Sequence, residues 1–185
     1  MSLYDATLAA LRGWTAPSAE QAALRDRFVA YLESDPNGTS RTSAPDHITC
    51  GALVLDHTGT RVLLNLHGKA GIWVAFGGHC EPEDASPLAA ATRELAEESG
   101  LSAFEVDPEI AQLDVHPVDF CTPHGHVHHL DIRFVARAGA DAQEQISDES
   151  LDLRWFDVDD VPTQEASMLA LIGIARERFA AVAGS

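Results

Sequence analysis

Apolar positions in the first part of the chain recur at helical spacing and then change to strand spacing. Leu24, Phe28, Tyr31 and Leu32 follow Ser18 and Gln21 at intervals that predict a capped helix, with a second short helix before it. The run SDPNGTSRTSAPDH (34–47) is rich in turn formers and predicts a connector. From Ile48 the rhythm becomes that of strands: ITCGALVLD, RVLLNLH and IWVAFGG, joined by short turns such as 57–60. EIAQLDVHPVDF, HHLDIRFVAR and LDLRWFDV alternate in the same way further on. One helix, entered at Ser86-Pro87 and left at Gly100, interrupts the strands, and residues 168–183 predict a closing amphipathic helix. The pattern predicts an α+β chain with a mixed sheet covered by helices. Its expected parts are an N-terminal helical extension and linker (1–45) and a main domain (46–185).

Charge narrows the function. Twelve Lys and Arg stand against 29 Asp and Glu, a net charge of -17. Such a surface repels nucleic-acid backbones and anionic lipid, so neither is an expected partner. It suits divalent cations, which would have to mediate contact with any anionic ligand. Much of the acid serves solubility alone. Three cysteines (Cys50, Cys80, Cys121), none in a CxxC pair, argue against a disulfide scaffold and suit a reducing cytoplasm. The first residues, MSLYDATLAALRGW, carry neither a basic leader pattern nor an apolar span, and a cytoplasmic location is expected.

The interrupting helix carries the chemistry. Leu88, Ala91, Thr92, Leu95 and Ser99 form a stripe that can face a core. Glu94, Glu97 and Glu98 lie beside it at i, i+3 and i+4, close enough to repel one another unless a positive charge sits between them. Arg93 precedes Glu97 by four residues and can pair with it in part.

RELAEESGL resembles the core of the Nudix box, GX5EX7REUXEEXGU with U aliphatic. Arg93, Glu94, Leu95, Glu97, Glu98, Gly100 and Leu101 match in register, and Gly78 fits the opening glycine. Two departures stand upstream. Asp84 replaces the usual glutamate, and eight residues rather than seven separate it from Arg93. The extra residue falls in the turn at 84–87, so the departures bear on an Asp84–Arg93 contact more than on the carboxylates. The resemblance implies a Nudix-type α/β/α sandwich and a metal-dependent pyrophosphohydrolase, cleaving the diphosphate of a nucleoside diphosphate linked to another group.

The resemblance further implies Mg²⁺, with Mn²⁺ a substitute, on Glu94, Glu97 and Glu98, and with the Gly77 carbonyl as a backbone ligand. Gly78, Asp84, Arg93 and Gly100 would be structural. The family takes its general base from varied places; here the candidates are Glu98 and Glu149, with Glu144 and Asp148 competing. Glu81 is a further outer ligand or a plain turn acid.

PHGHVHHLDIRF (123–134) holds four of the nine histidines. If extended, it puts His124, His126 and His128 on one face and His129, Asp131 and Arg133 on the other. Two histidines do not complete a tetrahedral zinc site, so none is expected here. Arg133 and His129, with His116 from a neighbouring strand, are candidates to meet phosphate or base, or else plain polar positions on a sheet. Trp73 and Trp155 read as core residues, although either could stack on a base.

Two other functions compete. A silent Nudix-fold binding or regulatory module would normally have lost box carboxylates, and all three are present. An isomerase-type relative would need a further Cys or Glu and a second metal, for which Cys80 is a weak pointer. The expected partner is a small nucleoside diphosphate derivative, and a homodimer is compatible with the sequence.

Overall fold

The computed structural model describes residues 1–42, 46–121, 123, 125–146 and 150–183. Two helices come first, α1 (Leu3–Gly13) and α2 (Ala19–Ser34), capped by the hydroxyls of Ser2 and Ser18, which accept the N–H groups of Asp5 and Gln21. Eight strands follow: β1 (His47–Leu55), β2 (Arg61–His67), β3 (Trp73–Val74), β4 (Phe76–His79), β5 (Phe104–Val106), β6 (Gln112–Cys121), β7 (Gly125–Ala138) and β8 (Ser150–Asp157). Helix α3 (Pro87–Ser99) lies between β4 and β5, and α4 (Ala166–Ala183) closes the chain. Among the described residues no helix is long and apolar enough to cross a membrane.

Strand β1 organises the sheet. It runs parallel to β7 from His47 opposite His129 to Leu55 opposite Arg137. On its other edge it pairs first with β4, Thr49 opposite His79 to Ala52 opposite Phe76, and then with β2 at Val54 and Leu55. The sheet therefore splits along that edge, with β2 carrying β3 and β8 away from β4. The split requires close approach of β1 and β4. A Cβ on Gly51 would sit 2.5 Å from the Phe76 carbonyl oxygen, and one on Gly77 2.7 Å from the Gly51 Cα. Only glycine fits at either place.

All nine residues of β1 are buried, because helices cover both faces. Ile48, Cys50, Ala52 and Val54 join a large cluster with Leu8, Leu11, Phe28 and Leu32 of the first two helices and Ala91 and Leu95 of α3. Leu53 and Leu55 face the other way, into a second cluster with Leu171, Ile172 and Ala175 of α4. The result is the α/β/α sandwich expected, its mixed sheet preceded by a helical segment. The first helices are built into the core: Leu11, Phe28 and Leu32 are fully buried, each such side chain contributing about 1.5–3 kcal/mol.

Gln21 departs from its expected role. A capping box would send its amide back to the Ser18 N–H. Instead its Nε2 donates to the Leu113 carbonyl (3.0 Å) and its Oε1 accepts the Leu113 N–H (2.8 Å), docking α2 on the free edge of β6. Strand β5 escaped the sequence reading because three residues are too few to show alternation.

Candidate functional site

Helix α3 forms as its sequence dictates. The Ser86 hydroxyl accepts the Ala89 N–H, Pro87 occupies the first turn, and Gly100 ends the helix at φ 58°, a left-handed conformation that favours glycine. Ala90, Ala91, Leu95 and Ser99 are buried against the sheet. That burial fixes the direction of the box carboxylates, which emerge beside β4.

Arg93 ties the box together. Its Nε and Nη2 donate to the two oxygens of Asp84 (3.1 and 3.0 Å), and Nη2 also donates to the His79 carbonyl (2.9 Å). Nη1 reaches Glu94 (2.9 Å) and Glu97 (3.1 Å). The Asp84–Arg93 contact put in doubt by the sequence is therefore made. An aspartate is one methylene shorter than glutamate, and here the turn that carries it is one residue longer. Asp84 also accepts the Glu81 N–H (2.8 Å), and its bond to Arg93 is the main cause holding that guanidinium above its ordinary range. Glu81 is exposed and only grazes Arg93 at 3.9 Å.

The three carboxylates take different settings. Glu98 is 8% exposed and accepts the Gly77 N–H at 3.0 Å. Glu94 lies over Gly78, where an added Cβ would fall 2.8–2.9 Å from its carboxylate atoms. Gly78 is thus a cradle that any side chain would fill. Glu97 is largely exposed, its side chain 61% accessible. Arg93 draws Glu94 and Glu97 toward itself and Gly77 draws Glu98 inward, so the three converge on no single point as they stand. Their oxygen donors nevertheless fit a hard divalent cation, which takes one or two carboxylates and fills its remaining positions with water and phosphate.

The other expected residues are scattered. Glu149, Asp148 and His124 lie outside the described residues, and Glu144 is exposed on the segment after β7. Arg133 is held by neighbouring side chains. Its Nε donates to Asp131 (2.7 Å), Nη2 to Asp114 (2.9 Å), and Nη1 to Gln112 (3.2 Å) and the Ser167 hydroxyl (3.0 Å). With its side chain 12% exposed, it ties β6 and β7 to the start of α4. His116 bonds Asp114 through Nδ1 (3.0 Å); burial pushes its pKa down, but the Asp114 bond and the charges of Asp131 and Asp114 together outweigh this and hold it above the ordinary value. Trp73 packs edge-on against Phe156 with the Arg154 guanidinium over it, a partly buried position on the sheet.

His129 belongs to a different group. It lies with His47, His79 and Cys121, one ligand atom of each falling within 4.8 Å of all the others. Burial, and then the neighbouring imidazoles, pushes the His129 and His79 pKa values down to about 4, so both rings are neutral at pH 7. Among the described residues this is the one group of three or more His, Cys, Asp and Glu side chains gathered as a metal centre would be. Spacing along the chain could not have revealed it, because its members come from four strands.

The site is an arginine-clamped carboxylate helix laid on a glycine strand, in a mixed sheet between helices. The family model described as the NUDIX domain matches residues 45–172. The chain belongs to the Nudix family. A Nudix-family hydrolase from Clostridium perfringens is similar in structure at 22% identity and a TM-score of 0.52, covering 74% of this chain and 97% of its own. A Caenorhabditis elegans Ap4A hydrolase is similar at 19% identity and a TM-score of 0.59, over 75% of this chain and 98% of its own. A MutT Nudix hydrolase from Burkholderia pseudomallei is 24% identical with a TM-score of 0.51, over 68% and 95%. These three share the fold. No curated protein sequence matches the chain. With its Nudix domain, the chain is a metal-dependent pyrophosphohydrolase of nucleoside diphosphate derivatives.

Proposed function

We propose that Glu94, Glu97 and Glu98 hold a Mg²⁺ ion, replaceable by Mn²⁺, against the Gly77–Gly78 strand end, and that the pyrophosphate binds there. The observation that carries this is the Gly78 cradle: the Glu94 carboxylate lies so close over the glycine that a Cβ there, 2.8–2.9 Å from it, would force it to move. Bound there, the ion would neutralise phosphate charge and polarise the phosphoryl oxygens.

The chain's own residues do the rest. Arg93 fixes the aim of Glu94 and Glu97 and anchors the His79 carbonyl, holding the loop after β4 onto the helix. The Gly77 N–H fixes one oxygen of Glu98 at the end of β4. Water attacks phosphorus, one P–O bond of the diphosphate bridge breaks, and a carboxylate takes the water's proton. Glu98 and Glu149 are the candidates for that carboxylate, and glutamine at each position in turn tells them apart. Gly77 would offer its carbonyl as a further oxygen ligand. The reading is of a cytoplasmic enzyme acting on a small nucleoside diphosphate derivative, with no nucleic-acid partner.

The test is hydrolysis of a panel of nucleoside diphosphate derivatives with and without EDTA. The account predicts turnover of at least one member, abolished by EDTA and restored by Mg²⁺. Binding of a panel member without turnover at any Mg²⁺ concentration would make the chain a regulatory module instead.

A further inference from the structure

We propose that His47, His79, Cys121 and His129 bind a divalent transition-metal ion of the zinc class, separate from the box carboxylates, as a structural clasp on the sheet. The site goes beyond the hydrolase reading and does not depend on it.

The fold brings these four side chains together from distant parts of the chain. His47 opens β1 and stands opposite His129 in the parallel β1–β7 ladder. His79 ends β4 on the other edge of β1, and Cys121 ends β6, which turns into β7. The Cys121 sulfur lies 3.5 Å from the Nε2 of His79 and 3.8 Å from that of His47. The imidazole centroids of His47, His79 and His129 are 4.8–5.4 Å apart.

These spacings suit tetrahedral coordination. Bonds of about 2.0–2.1 Å to nitrogen and 2.3 Å to sulfur put tetrahedral ligands roughly 3.3–3.6 Å from one another. Both sulfur–nitrogen distances are already close to that edge. All four ligand atoms lie within 4.8 Å of one another, so side-chain closure of at most about 1.5 Å brings any pair to that edge.

An independent observation points to a missing partner. The Nε2 of His129 is buried and has no hydrogen-bond partner among the described residues. A buried polar atom left so costs about 1–3 kcal/mol. Three packed imidazoles and a thiol, itself a weak donor, give each other few strong hydrogen bonds. A cation among them would draw on lone pairs that such neighbours leave unused.

The donor set selects the ion. Three imidazoles and a sulfur suit zinc, cobalt or iron(II), whereas Mg²⁺ prefers oxygen. On binding, Cys121 gives up its proton to solvent and coordinates as thiolate. Four protein ligands close a tetrahedral shell, the mark of a structural site. The clasp would pin β1, β4, β6 and β7 at one end, and Arg93 links it to the box by donating to the His79 carbonyl.

The experiment uses the full chain, stripped with chelator and titrated with Co²⁺ in buffer holding excess Mg²⁺. We expect one equivalent of Co²⁺ per chain, with a sulfur-to-cobalt charge-transfer band, displaced by Zn²⁺. Cys121→Ser should remove that band. His129→Gln should weaken Co²⁺ binding by at least about tenfold, the least that even an outer-shell loss costs. Glu97→Gln should leave the cobalt spectrum unchanged, which separates this site from the box. Far-ultraviolet circular dichroism shows whether each variant is folded, and the His129 variant tests the site should Cys121→Ser fail to fold. The proposal is overturned if the stripped protein takes up no Co²⁺ over the Mg²⁺, or if its cobalt spectrum has no thiolate band. It is equally overturned if the band survives Cys121→Ser or disappears with Glu97→Gln. Hydrolysis is measured in parallel, so failure here leaves the pyrophosphatase reading standing and failure there leaves this one.

Discussion

At Asp84 the chain departs from the usual Nudix glutamate, yet the shorter carboxylate takes two hydrogen bonds from Arg93 across a turn one residue longer. Restoring the usual residue should therefore harm the protein. Asp84 is 8% exposed, and Asp84→Glu adds a methylene to a filled space, at a cost of about 1–3 kcal/mol. A thermal melt checks this, and a raised Tm would mean that the space is not filled. Gly78→Ala tests the cradle. The new methyl would meet the Glu94 carboxylate, and displacing that group by about 1 Å should lower turnover on the order of 10²-fold with little change in circular dichroism.

Asp56 gives a test remote from the site. Burial pushes its pKa up, but the N–H groups of Arg61 and Thr60 and the Thr58 hydroxyl outweigh this and hold it below the ordinary carboxylate value. A depressed folded-state pKa adds stability that is complete above pH of about 4 and is lost as pH falls through the folded value. Asp56→Asn should cost about 1–2 kcal/mol at pH 7. It should also flatten the acid limb of the stability curve measured by urea unfolding; an acid limb as steep as the native one would contradict this role.

The elements were legible in proportion to their length and rhythm. Helix α3 announced itself through Ser86, Pro87, Gly100 and an apolar stripe, β1 and β2 through apolar runs bounded by turns, and β7 through alternation. Elements and contacts set by tertiary structure were not legible. Gln21 followed Ser18 at capping-box spacing, yet the unpaired edge of β6 drew its amide to Leu113. Gln21→Ala should remove both bonds and cost about 1–3 kcal/mol, speeding hydrogen exchange at the Leu113 amide while leaving turnover intact. Unchanged exchange there would mean that α2 is held by its apolar face alone. Arg133 shows the same limit. Alternation placed it on one face of β7 with His129 and Asp131, but only the fold shows that Asp131, Asp114, Gln112 and Ser167 engage its donors. The histidine cluster was hidden more deeply, since strand pairing alone joins His47, His79, Cys121 and His129.

Across the whole molecule, the net charge of -17 sets the enzyme a problem, because its substrate class is anionic. A cation on the box is the expected solution, and the one guanidinium central to the box, Arg93, is already committed to Asp84, Glu94 and Glu97. The most direct test is the rate of nucleoside diphosphate hydrolysis against Mg²⁺ concentration for the native chain and for Glu97→Gln, with each protein's melting temperature recorded with and without Mg²⁺. Glu97 is exposed, so the substitution should spare the fold. The account predicts Mg²⁺-dependent turnover and Mg²⁺-dependent stabilisation in the native chain. For Glu97→Gln it predicts a rate lower by roughly 10²–10³ and a smaller gain in melting temperature from the metal. Equal rates and equal gains for the two proteins would contradict it and reduce the box carboxylates to surface charge.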